Sequence, residues 1–91
     1  MTPSERKLLK ARAHKLDPVV LIGAKGLTEP VVAEIAAALK AHELIKVRAP
    51  AHERKERAGM FQEIAVKTDS VIVQEIGKVL VLYKKWDTPT P

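Results

Sequence analysis

The sequence predicts an α/β fold of the two-layer α+β kind, ordered α-β-α-β-α-β-β, with helices packed on a mixed four-stranded sheet. Three observations lead there. Apolar residues recur at helical spacing over three stretches, and short β-branched or alternating runs separate them. Two strand–helix–strand crossovers imply parallel, right-handed connections. The last two strands are joined so tightly around Gly77 that they read as a hairpin, which makes the sheet mixed. At 91 residues there is room for one core and no second domain.

The first helix opens on Thr2-Pro3-Ser4-Glu5, a capping-box arrangement with Thr2 as N-cap, Pro3 in the first helical position and Glu5 in the third. It is expected to run to His14 or Lys15, with Leu9, Ala13 and Leu16 on one side and Leu8 widening the stripe. Asp17-Pro18 stops it, because a residue before proline is pushed out of the helical region. Val19–Ile22 is short, continuous and apolar, the pattern of a strand buried on both faces. After Gly23-Ala24-Lys25-Gly26, Thr28 caps a second helix whose apolar face is Val31, Val32, Ile35, Ala36 and Leu39 and which ends near His42. Leu44–Arg48 alternates, with Ile45 and Val47 on one face and Lys46 and Arg48 on the other, so one face of this strand is partly open to solvent. Residues 52–68 form a third helix, polar first and then apolar through Met60, Phe61, Ile64 and Ala65. Val71–Ile76 and Lys78–Lys84 are the hairpin strands, and the second is apolar on both faces, which argues for an interior position. Residues 1–85 read as the domain and 86–91 as a flexible tail.

Composition excludes several chemistries. There is no cysteine, so disulfides, thiolate metal sites and cysteine nucleophiles are ruled out. His14, His42 and His52 lie on or beside different helices without metal-ligand spacing, and Ser4 and Ser70 have no nucleophile-elbow context. An enzyme is not expected, and neither is a cofactor, a metal or a small-molecule substrate. No stretch approaches membrane-spanning length, so the chain reads as cytoplasmic, without a membrane partner, and monomeric.

Charge is more informative. The net charge is +5, and residues 1–26 alone carry six Lys and Arg against Glu5 and Asp17. A basic surface concentrated in the first quarter of a small protein favours a polyanionic partner. Arg6, Lys7, Lys10 and His14 cluster on helix 1, and Lys46 and Arg48 share a strand face. Between them stands Gly23-Ala24-Lys25-Gly26, a strand-to-helix loop with a lysine near its tip. It lacks the third glycine of a dinucleotide fingerprint and the spacing of a Walker loop. Two glycines would let the backbone approach a phosphate, as in the loop of RNA-binding KH domains. A KH loop joins two helices, however, and this one follows a strand. In isolation, the simpler reading of such a loop is a tight turn.

The segments LDPVVLIGAKGLTEPVVAEIAAALKAHELIKVR and IGKVLVLYKK closely resemble the CRM domain (chloroplast RNA splicing and ribosome maturation) in its stand-alone bacterial form, the YhbY-like proteins. The resemblance covers residues 3–85 and implies a fold like the C-terminal domain of translation initiation factor three, with sheet order 1-2-4-3. It also implies an RNA-binding protein associated with large ribosomal subunit precursors. The family's G-x-x-G loop maps onto Gly23, Ala24, Lys25 and Gly26, and its basic surfaces onto Arg6, Lys7, Lys10 and His14 of helix 1 and Lys46 and Arg48 of strand 2. The expected partner is thus RNA, specifically large-subunit ribosomal RNA in precursor particles. The competing expectation is a protein–protein adaptor whose basic face meets an acidic partner.

Overall fold

The computed structural model describes residues 1–50 and 54–85. In chain order the elements are α1 (Pro3–Ala13), β1 (Pro18–Leu21), α2 (Glu29–His42), β2 (Leu44–Arg48), α3 (Arg54–Thr68), β3 (Val71–Ile76) and β4 (Val79–Tyr83). The start expected for the third helix, at residue 52, and the tail at 86–91 lie outside the described residues. Both predicted caps form: Thr2 Oγ1 accepts from the Glu5 amide at 3.1 Å, and Thr28 Oγ1 from the Val31 amide at 3.4 Å.

The sheet order is β1-β2-β4-β3. β1 and β2 pair in parallel across the α2 crossover, whereas β4 is antiparallel to both of its neighbours, β2 and β3. β2 and β3 therefore point the same way with β4 inserted between them. The hairpin turns at Gly77, whose φ is +55°, a value that suits glycine at the first central position of a two-residue turn. β4 is the interior strand its apolar run predicted: Leu80, Val81 and Leu82 are fully buried.

Alternation along β2 and β4 divides the core in two. Ile45, Val47, Leu80 and Leu82 face α2 and α3, where Ile35, Leu39, Phe61 and Ile64 close the main core. Leu44, Val73 and Val81 face the other way and meet Leu9 and Ala13 of α1. The two-layer expectation thus gains a partial third layer, because α1 packs on the face opposite α2 and α3. One short helix cannot cover a four-stranded sheet, and the end of that face carrying Leu21 and Arg48 stays exposed.

Three expectations need correction. β1 is not buried on both faces: it is an edge strand with exposure alternating along it, Val20 buried and Val19 and Leu21 open. Its apolar run suggested an interior strand, but α1 does not reach over this edge. Leu8 and Leu16 do not extend the core stripe of α1, for both are exposed. α1 also ends at Ala13, before the expected stop, and the Leu16 amide then bonds the Ala13 carbonyl in a closing turn.

Candidate functional site

The Gly23–Gly26 segment forms a β-turn closed by the Gly26 amide on the Gly23 carbonyl at 3.0 Å, with Ala24 and Lys25 exposed at its tip. Its two glycines have different reasons to be there. Gly26 has φ +76°, a conformation that L side chains resist, and a Cβ on it would come within 3.8 Å of the Met60 Cε. Gly23 is not among the residues with positive φ, and a Cβ on it would meet nothing within 4 Å. The fold requires glycine at Gly26 and not at Gly23. After the turn, Leu27 dips into the main core and Thr28 caps α2, so the tip is held between two anchored points.

The turn sits at one end of the sheet. The Ile22 amide bonds the Arg48 carbonyl at 2.9 Å, which places Gly23 directly beside the end of β2. Since β3 runs parallel to β2, the Gly77-Lys78 hairpin lies at this same end. Lys25, Arg48 and Lys78 therefore gather at one pole of the molecule. Met60 beside Gly26 brings the first turns of α3, with the exposed Lys55, toward the same pole. Asp17, Glu43 and Asp69 each precede a strand at the opposite pole, where Lys84 and Lys85 follow β4. Asp17 is thus a full strand length, roughly 13 Å, from the turn.

Helix α1 adds a flank to this surface. Glu5 lines a hollow with Asp69, Val71, Tyr83, Lys84 and Lys85, and Arg12 one with Asp17, Val19, His42 and Leu44, both at the opposite pole. Lys7, Lys10 and His14, spaced three and four apart, are exposed on α1, which leaves half of this sheet face uncovered. That half carries Lys46, half-buried, and Arg48, exposed. The predicted opposition of Lys46 and Arg48 to Ile45 and Val47 is what the structure has.

Arg6 does not join them. Its Nη1 donates to the carbonyls of Ile72 at 2.9 Å and Val73 at 2.8 Å, where the β3–β4 register shifts. A β-bulge leaves carbonyls without ladder partners, and a guanidinium from α1 satisfies them. Arg6, expected to contact RNA, has its Nη1 engaged in fastening α1 to the sheet.

Sequence reasoning missed Leu21, Lys78, Val79 and Ile76. The apolar run of β1 hides the first among core residues, and the hairpin pattern absorbs the others. Register pairs Leu21 with Arg48, Arg48 with Val79 and Val79 with Ile76, a continuous row across all four strands on the uncovered face. Among the described residues there is no group of three or more His, Asp or Glu that could hold a metal, and no helix long and apolar enough to cross a membrane. The arrangement presents exposed cations beside an exposed turn.

The model of the CRS1/YhbY (CRM) domain matches residues 1–84. The chain belongs to that family. The CRM domain here is 43% identical over 84 residues to an RNA-binding protein of Haemophilus influenzae, covering 92% of this chain and 85% of that one. It is 39% identical over 89 residues to a protein of Pseudomonas aeruginosa named a probable RNA-binding protein, covering 98% and 86%. The solution structure of a hypothetical protein from Staphylococcus aureus superposes with a TM-score of 0.84 at 28% identity, covering 99% of this chain and 94% of that one. The non-enzymatic reading agrees with this family, whose relatives bear the names of binding proteins. The sheet order implied by the CRM resemblance is the one observed.

Proposed function

We propose that this CRM domain binds RNA and acts on precursors of the large ribosomal subunit, gripping the phosphate backbone through the Gly23–Gly26 turn and the basic surface beside it. The observation that carries this reading is the gathering of Lys25, Arg48 and Lys78 at one end of the sheet beside the exposed turn, with Lys7, Lys10 and His14 exposed on α1 as further cationic surface. Cations clustered on one surface meet the phosphates of a nucleic acid and release its counterions. At Gly23 the space that a Cβ would fill is open, so a phosphate can approach the backbone of the turn closely. The names of the bacterial relatives support RNA as the partner.

Sedimentation of a cell lysate through a sucrose gradient, with and without nuclease, tests the proposal. The protein is expected in the large-subunit precursor fractions and is expected to leave them when RNA is digested. Co-sedimentation that persists after digestion favours the adaptor with an acidic protein partner. With purified components, log affinity for RNA falls linearly with log salt, at a slope of about −0.7 to −0.9 per neutralised phosphate. Affinity that barely changes with salt refutes the backbone mechanism.

A further inference from the structure

We propose that the uncovered half of the sheet is a platform for unpaired nucleotides, which gives this domain a preference for single-stranded over duplex RNA. The inference rests on the RNA reading above and extends it from backbone to bases. Leu21 is 67% exposed and Ile76 54%, and both lie on the same transverse row as Arg48 and the half-buried Val79. The two open aliphatic side chains stand at the two edges of the row, with Arg48 and Val79 between them, so the row alternates apolar contact with positive charge. Four strands span roughly 14 Å, room for roughly two to four nucleotides.

The chemistry of the row selects the occupant. Arg48 stands between the apolar residues, Lys46 lies one row below it, and Lys78 shares a hollow with Leu21 and Arg48. A second copy of this chain docked here would set Arg48 and Lys46 against their own equivalents, so charge disfavours self-association. A nucleotide strand offers what the row lacks: phosphates for the cations and flat apolar base faces for Leu21, Val79 and Ile76. Duplex RNA cannot do the same, because its base faces are stacked inside and only phosphate and ribose reach the surface. With few aromatic residues, this platform reads base faces by apolar contact alone, so no base identity is favoured.

The test uses the full chain and fluorescence anisotropy with three labelled probes: a short mixed-sequence RNA single strand, the same strand annealed to its complement, and an abasic single strand of equal length. The double variant Leu21→Thr/Ile76→Thr keeps β-branched residues in the strands and removes apolar surface from the platform. The wild type is expected to bind the single strand more tightly than the duplex or the abasic strand. The variant is expected to lose about tenfold in affinity for the single strand, the order that half-covering a leucine supplies. Its affinity for the other two probes, and its salt slope, should not change. Thermal melting of both proteins establishes that the variant is folded. A variant that binds the intact single strand as well as the wild type overturns the platform, as does equal wild-type affinity for the intact and abasic strands. In either case, Lys25→Ala and Lys46→Gln weakening all three probes would leave the backbone reading standing. Failure of the wild type to bind any probe removes both. A wild-type dimer in sedimentation equilibrium that the double variant dissolves assigns the face to a second copy and overturns the proposal.

Discussion

Alanine at Gly23 and alanine at Gly26 should fail in different ways, and the difference separates the turn's structural task from its binding task. At Gly26 the φ of +76° places a new Cβ in the left-handed region, at a cost of about 1–2 kcal/mol. The neighbouring Met60 Cε, 3.8 Å from that Cβ, adds no clash, so backbone strain is the whole penalty. For a domain of this size such a loss lowers Tm by roughly 5–10 °C. At Gly23 there is no positive φ and no atom within 4 Å of the new Cβ. Alanine there restricts the unfolded chain and should leave Tm unchanged or raise it slightly, by up to about 1 kcal/mol of stability. Binding should run the other way. If the turn accepts a phosphate on its amides, a methyl group at Gly23 stands in the anion's path. Losing one charge-assisted hydrogen bond weakens binding by about 1.5–3 kcal/mol, roughly ten- to a hundredfold. Thermal melts and anisotropy titrations of the two variants measure both axes. A Gly23→Ala protein that melts like the wild type and binds RNA equally well refutes the phosphate cradle, and the loop is then only a turn.

Other substitutions probe the remaining parts. Leu82→Ala, at a fully buried site on the interior strand, should destabilise by about 2–5 kcal/mol in denaturant melts. Lys25→Ala should lower RNA affinity and reduce the magnitude of the salt slope by about one phosphate's worth while leaving Tm unchanged, since the side chain is exposed. Arg6→Ala should destabilise by about 1–3 kcal/mol and speed amide exchange in α1 and around Ile72 and Val73, because two carbonyls lose their donor; unchanged exchange there would show that the clamp is dispensable. Thr28→Ala should cost about 0.5–1 kcal/mol, toward the low end because its capping bond is long at 3.4 Å.

Much of the fold was legible because its signals are local. Thr2 and Thr28 announce helix starts, Gly77 announces a hairpin, and the run from Val79 to Tyr83 announces an interior strand. Each depends on residues within one turn or one strand, where period and capping chemistry act directly. The failures share the opposite character. Val19–Ile22 has the composition of a doubly buried strand, yet whether its second face is covered depends on how far α1 reaches, which no local pattern encodes. Leu8 and Leu16 fail likewise, since the width of α1's buried stripe is set by its footprint on β2, β3 and β4 and not by its own periodicity.

For the site the same rule sorts the residues. Lys25 and its glycines were recognisable as a loop, and Lys46 and Arg48 as a shared strand face, because turns and alternation are local. That these residues converge on one pole follows only from strand order: parallel β1 and β2 put Gly23 beside Arg48, and the insertion of β4 brings Lys78 to the same end. Arg6 shows the limit most clearly. In sequence it is one more cation in a basic helix, indistinguishable from Lys7 or Lys10. Its partners are carbonyls 66 and 67 residues away, exposed by a register shift in β3. Its guanidinium bridges the two carbonyls through one nitrogen. The helix's cations thus differ in setting: Arg6 is tied to β3, whereas Lys7, Lys10 and His14 are exposed.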